Sequence, residues 1–499
     1  MNNNFLFDEF SKQSTKGIFV IYVKQLFNAL KATWVFAIIF VQQFSQLPEI
    51  AITWVYVGIV AGFLFFFIRA YLIYSHFLFK IEAQHFVLKE GVLGKKNTSI
   101  PFDRIQNINF KQNIIQQMMN VYEVSIETAG SNSTEISIKA LTLENAQALK
   151  VALTAVAENK GHAELYAEAE PLLKIGLLEL LKVSLTENHL QSLLIFIALV
   201  FGVLQQLNDV LEGVGKHDSL KEYVQIDPSD ILNSFTVVAI LLLVLLCIGL
   251  LSSLVRMLLF HFNLTLFIKD SAFEITQGLF TKKSIVLNRD KVQSITISTN
   301  PIKEKLGISF VTFKQAASGN VKKKQQKLIR IIGCLSHQIH TIKNVLYANE
   351  TIDEQTRFYP DTYYLFRMYL RSTLGLLLLN AILIFLLKNF AWLFVNCISI
   401  PVVILLVHLK FRKAFYQFDQ ELLVVGSGRI ESHVNYLPLF KVQNIKMKQT
   451  LFQKRRNVVN VVLQTASGKI RIPCIEKQRA LALYNYILFK VESNKESWM

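Results

Sequence analysis

Three histidines, His76, His261 and His408, stand at or near the ends of long apolar runs. Three imidazoles in matched places could hold a metal ion or pass a proton. Their distances to the next recurring glycine, Gly91, Gly278 and Gly428, are 15, 17 and 20 residues. They keep no common register, so they read as interfacial histidines. Gln106, Gln293 and Gln443 do keep one, and a repeated glutamine invites a ligand site. A glutamine flanked by β-branched residues also serves a strand by bonding across the sheet or closing a bulge, and that structural reading is favoured because the surrounding charges change from copy to copy. Cys247, Cys334, Cys397 and Cys474 lie far apart, two of them inside apolar runs, and form no CxxC pair. They read as reduced fillers. The chain has no glycine-rich phosphate loop, no HExxH, no Gly-x-Ser-x-Gly and no Cys/His ligand set. No catalytic, metal or cofactor residues are expected, and the chain reads as a non-enzyme.

Two basic clusters remain as candidate contacts, Lys322, Lys323, Lys324 with Lys327, and Lys454, Arg455, Arg456. Beside an anionic leaflet each such side chain contributes about 1 kcal/mol. Nucleic acid is not expected as a partner, because no aromatic stacking platform is interleaved with the cations.

The elements that must position these groups are set by hydropathy. The chain has 499 residues, 52% apolar and 18% charged, with 38 Phe and a net charge of +17; its mean hydropathy is +0.36. A bilayer core of ~30 Å takes about 20 apolar helical residues. Six such stretches occur in three pairs: 28 to 47 and 50 to 73, 190 to 208 and 231 to 255, 372 to 387 and 390 to 409. Lys12, Lys16, Lys24 and Lys31 precede the first; Arg69, Arg256, Lys410, Arg412 and Lys413 lie at or beyond the ends of the second, fourth and sixth. Lysine and arginine mark the cytoplasmic side. Both termini and everything after each hairpin are therefore expected in the cytoplasm, and no cleaved leader is expected.

A pattern recurs after each hairpin. Gly91 is followed by Gln106 within Arg104-Ile105-Gln106-Asn107-Ile108 and by Ala129 beside Gly130. Gly278 leads at the same intervals of 15 and 23 residues to Gln293 and Ala316, and Gly428 to Gln443 and Ala466. Alternation such as Val124, Ile126, Thr128 or Val459, Val461, Leu463 marks strands of antiparallel meanders, and the glycines read as hairpin residues with positive φ. Each copy ends in a helical pattern: Leu143, Ala146, Leu149 and Ala152; Ile339, Ile342 and Leu346; Ala480, Leu483, Tyr486 and Ile487. Such a helix closes the open mouth of a small sheet.

These residues resemble the bacterial pleckstrin-homology-like (YdbS/YdbT-type) membrane protein family, whose longer members alternate helical hairpins with three such domains. Gln13 to Ile18 and Ile175 to Leu180 resemble that family's lead-in segments. The copies diverge at Asn120-Val121-Tyr122, Gly307-Ile308-Ser309 and Asn457-Val458-Val459. The resemblance implies a fold of transmembrane helices and PH-like antiparallel sheets or barrels capped by a C-terminal helix, and a membrane address, with no reaction attached. The expected organisation is an N-terminal segment 1–27, hairpin 28–73, PH-like domain 74–160, linker 161–189, hairpin 190–255, PH-like domain 256–350, linker 351–371, hairpin 372–409 and PH-like domain 410–493.

Residues 74 to 170 carry nine basic and eleven acidic residues, 256 to 362 sixteen and eight, and 410 to 499 sixteen and six, giving −2, +8 and +10. The expected function is a non-catalytic bacterial inner-membrane protein presenting three cytoplasmic modules as a binding or assembly platform. Its partners would be anionic head groups and a protein partner or a second copy. An accessory subunit of an export or envelope-stress/resistance system comes second and an integral-membrane enzyme third.

Overall fold

A computed structural model describes residues 7–44, 48–82, 84–128, 136–155, 170–187, 189–213, 235–269, 272–316, 329–347, 357–388 and 390–494. The chain forms two compact units, built mainly from residues up to Val286 and from Leu287 onward.

In the first unit, helices α1 (Gly17–Phe44) and α2 (Glu49–Ser75) pack as a hairpin. A short strand β1 (Ser11–Lys12) precedes them and pairs with β2 (Leu78–Glu82), which follows them. Strands β3 (His85–Glu90) and β4 (Lys96–Pro101) complete a four-stranded antiparallel sheet. Then come β5 (Ile105–Gln112), the short helix α3 (Ile114–Met119), β6 (Tyr122–Thr128), β7 (Ile136–Leu141) and α4 (Leu143–Ala155). Alternating inward residues of both sheets, among them Phe79, Phe86, Leu88, Val124, Ile126 and Ile138, pack with Ala146, Leu149 and Leu153 of α4 in one core. Ala146 and Leu149 are buried as the helical spacing predicts, whereas Leu143 is exposed.

The design recurs. Strand β8 (Leu173–Lys174) and α5 (Leu177–Ser184) lead into the packed pair α6 (His189–Gly213) and α7 (Phe235–His261), and β8 pairs with β9 (Thr265–Ile268) beyond them. Strands β9, β10 (Ala272–Gln277) and β11 (Lys282–Asn288) do not form a sheet of their own. They extend the preceding module's second sheet in the order β7-β6-β5-β11-β10-β9-β8. Both edges meet because an unpaired strand edge leaves a row of amide and carbonyl groups that another strand can satisfy.

The second unit repeats the joint. Strands β12 (Val292–Thr299), β13 (Ile308–Gln315) and β14 (Ile329–Leu335), with α8 (Pro301–Lys305) and α9 (Ser336–Tyr347), pair through β12 with β17 (Ser432–Pro438). Strands β15 (Phe415–Phe418) and β16 (Leu422–Gly428) complete that six-stranded sheet. Before it come α10 (Thr362–Leu387) and α11 (Asn396–Arg412), turned on Lys388, which closes α10 with φ +47°. Strands β18 (Val442–Lys448), β19 (Val458–Thr465) and β20 (Gly468–Glu476) form the last sheet, with α12 (Leu451–Arg455) between β18 and β19. Helix α13 (Lys477–Ser493) buries Ala480, Leu483 and Ile487 in the core between β15–β17 and β18–β20.

Four helical segments are long and apolar enough to cross a membrane: Glu49–Ser75, Leu243–His261, Thr362–Phe385 and Leu393–Arg412, with mean hydropathies of 2.3, 2.4, 1.7 and 2.1. Helices α1 and α6 do not reach that measure over the described residues, so four rather than six spans are recognisable by length and composition. Gln42, Gln43 and Gln46 dilute the apolar end of the first stretch.

Candidate functional site: a basic cavity under the third hairpin

The start of α10 is tied to the last sheet. Asp361 accepts from the Tyr363 amide at 2.7 Å, capping the helix, while its own amide donates to the Cys474 carbonyl at 2.8 Å. Tyr364 and Met368 of α10, Val407 of α11, Ala414 and Cys474 form a buried cluster that fixes both helices against β20. Between these helix ends and the outer face of β18–β20 lies a cavity of about 860 Å³.

Nine cations line it. Arg367 and Arg371 stand one turn apart on a single face of α10, and Lys410 comes from α11. Arg429 follows the β16 glycine. Lys446 and Lys448 on β18, and Lys469 and Arg471 on β20, alternate so that each pair projects from one face of its strand. Lys314 enters from β13 and donates to Asn435 Oδ1 at 2.8 Å; its burial holds its pKa below the ordinary lysine value. Among the described residues no carboxylate lines the cavity, while Met368, Val403, Leu406 and Val407 give its helical wall an apolar lining. Cations converging without counter-ions focus a positive potential, and guanidinium pairs match the oxygens of phosphate or carboxylate. An anion carrying an apolar tail meets both linings.

The basic clusters conspicuous in the sequence are separate from this cavity or lie outside the described residues. Lys454, Arg455 and Arg456 are exposed on or just after α12 and do not line the cavity. Lys322, Lys323, Lys324 and Lys327 lie outside the described residues, as does Ala129. The cavity cations are dispersed between residues 314 and 471, and only the Arg367/Arg371 spacing and the period-two pairs on β18 and β20 signal them.

The repeated positions have consistent places. Gly91, Gly278 and Gly428 have φ of +107°, +110° and +126°. The ladders shift register between Ile105 and Asn107, Val292 and Ser294, and Val442 and Asn444, which puts Gln106, Gln293 and Gln443 each at a β-bulge. Gln293 is buried and Gln443 exposed. Ala316 follows β13, and Ala466 forms the β19–β20 turn. Asn120, Gly307 and Asn457, where the copies diverge, all adopt positive φ, a conformation that glycine and asparagine share. His76 Nδ1 lies 2.9 Å from the Leu72 carbonyl and His261 Nδ1 2.8 Å from Gln277 Oε1, so each is engaged locally. Among the described residues no three His, Cys, Asp or Glu are grouped to hold a metal ion.

Comparison with known proteins agrees with this architecture. The chain matches the family described as Bacterial PH domain in three segments, 32–156, 195–342 and 373–490. It is 25% identical over 437 residues, covering 83% of this chain and 85% of the relative, to the UPF0699 transmembrane protein YdbT of Bacillus subtilis (strain 168). With three matched segments that together span most of its length, each running from a helical hairpin into the sheets that follow it, the chain is a membrane-associated member of the bacterial PH domain family.

Proposed function

We propose that this protein is a non-catalytic binding platform of the bacterial inner membrane, and that its basic cavity takes the phosphorylated head group of an anionic lipid from the cytoplasmic leaflet. The observation that carries this reading is the cavity itself, where, among the described residues, nine cations and no carboxylate meet an apolar wall on two helices long enough to span a bilayer. A free anion would use the cations alone. A lipid uses both linings.

The platform has six spans and a single cytoplasmic face. Pairing across each hairpin supports this. Strand β1 lies before α1–α2 and pairs with β2 after them; β8 lies before α6–α7 and pairs with β9; Phe358 lies before α10–α11 and bridges Tyr416. Chain ends that pair must lie on one side, so each hairpin crosses an even number of times. With α2 and α7 crossing, α1 and α6 cross too. The Lys and Arg flanking the hairpins put that side in the cytoplasm.

The test is lipid analysis of the full-length protein purified in mild detergent. Anionic phospholipid should be enriched over zwitterionic lipid, and Arg367→Gln with Arg371→Gln, or Lys446→Gln with Lys448→Gln, should lose most of that enrichment while the protein stays folded. Retention of the same lipids by both double variants would overturn the assignment; loss to added inorganic phosphate would replace the lipid by a free anion.

A further inference from the structure

The same joint occurs twice within this chain. The last strand of a module's first sheet pairs with the first strand of the preceding module's second sheet, β11 with β5 in the first unit and β17 with β12 in the second. In the second joint Ile295 faces Tyr436, Ile297 faces Val434 and Ser298 faces His433, antiparallel. Thr296 donates to Asn435 Oδ1 at 2.7 Å across it, and Lys441 Nζ donates to the Val292 carbonyl at 2.6 Å. Closure removes β12 from solvent: Gln293, Ser294 and Ile295 are wholly buried.

Two strands at the equivalent places, β4 and β18, lack such a partner among the described strands of this chain. Among the described residues β4 is bonded to β3 alone and β18 to β19 alone. Both are exposed where their counterparts are covered. Lys96, Asn97 and Ser99 face solvent on β4, as do Asn444, Met447 and Lys448 on β18. These edges are the two complementary halves of a joint that the chain makes internally, and an unpaired edge is a template for another strand.

We infer that β18 of one copy pairs antiparallel with β4 of a second copy, in the register of the β12–β17 joint. Counting from the recurrent glycines, Asn97 occupies the place of Val434 and Met447 that of Ile297, so Asn97 and Met447 face each other across the pair. Lys448 then faces Lys96. The first unit already tolerates that juxtaposition, since Lys111 and Lys283 hold the equivalent places and the Lys283 pKa is pushed down by burial and by the charge of Lys111. Edge lysines also restrain stray strand addition, so pairing should strengthen as salt screens them. The contact is heterologous. Every copy still offers one free half at each end, and assembly proceeds to a ring or an open row of membrane-anchored chains.

Cysteine cross-linking of the full chain in native membranes tests this. Asn97→Cys and Met447→Cys are placed in separate, differently tagged copies and co-expressed; mild oxidation should join the two tags into a dimer and stop there. One chain carrying both substitutions should give a reducible ladder of dimers, trimers and larger species. Lys95→Cys paired with Met447→Cys, out of register by two residues, should cross-link several-fold less. Higher salt should increase the in-register product. Dimers of equal yield from either substitution alone, equal yield from the out-of-register pair, or a double variant that closes only on itself would each overturn the pairing.

Discussion

Gly428 has φ +126°, and a Cβ built there would lie 2.0 Å from the Glu431 carbonyl oxygen; at Gly91 and Gly278 the equivalent contacts are 1.9 and 2.2 Å. Backbone, not a movable side chain, fills the space, so an alanine must both adopt a conformation that L residues avoid and displace the turn. Gly428→Ala should destabilise the protein by roughly 1–3 kcal/mol from the backbone alone, with more from the clash, and thermal unfolding in detergent would register it as a fall in Tm. Gly375, in α10, has nothing near its Cβ position and takes alanine as the control. These glycines were legible because a conformational requirement fixes a residue type at a fixed spacing. The bulge glutamines were legible by register, yet Gln293 is buried while Gln443 is exposed, a difference set by whether a further strand covers the bulge and not by the residues beside it. The cavity was less legible still. Lys446, Lys469 and Arg367 converge only after three elements fold together, whereas a run such as Lys454-Arg455-Arg456 is conspicuous in sequence and exposed in the fold.

Each module places a short capped helix between the first two strands of its second sheet, and the caps show how one element acquires a second task. Asn113 with Gln116, and Thr450 with Gln453, form capping boxes in α3 and α12. In α8, Asn300 caps in the same way, but Lys303 stands where the others have glutamine. Lys303 is 1% exposed; its Nζ is 2.6 Å from Glu431 Oε1 and 3.6 Å from the centre of the Phe310 ring. The ammonium thus crosses the joint between two modules. Burial alone would raise the Glu431 pKa, but the hydrogen bond and charge of Lys303 outweigh it and leave the value below the ordinary 4.5. A carboxylate with a depressed folded-state pKa stabilises the fold above its unfolded value, and that contribution disappears as pH falls through the folded value. Thermal stability should therefore drop below pH 4.5 more steeply in the parent than in Glu431→Gln, which is the less stable of the two near neutrality. Glu431 is partly exposed, so salt should narrow the gap. Parallel slopes would show that the pair adds nothing. Strand type and order within a module followed from period-two alternation, but the sharing of sheets did not. Its bonds run between backbone groups that every non-proline residue carries, and they leave no signature in side-chain type.

For the whole molecule, the decisive quantity is the parity of membrane crossings. Among the described residues, length and composition mark four spanning segments, one in each of the first two hairpins and two in the third. A chain crossing only by those four would put the first module across the bilayer from the second. Yet β5 of the first pairs with β11 of the second, and β12 of the second with β17 of the third. Strands joined by backbone hydrogen bonds share an aqueous compartment, and the two crossings per hairpin proposed above are the arrangement that meets this requirement. The proposed six-span arrangement therefore predicts that α1 crosses as well. Cysteine labelling distinguishes the two arrangements. Met118→Cys on α3 and Leu451→Cys on α12, at positions 80% and 83% exposed, report the first and third modules. In intact cells a membrane-impermeant maleimide should leave both unlabelled and should label a cysteine placed within residues 212 to 226, between α6 and α7; after permeabilisation all three should react. Labelling of Met118→Cys but not Leu451→Cys in intact cells would mean that the first module lies outside, a topology in which the β5–β11 pairing could not form.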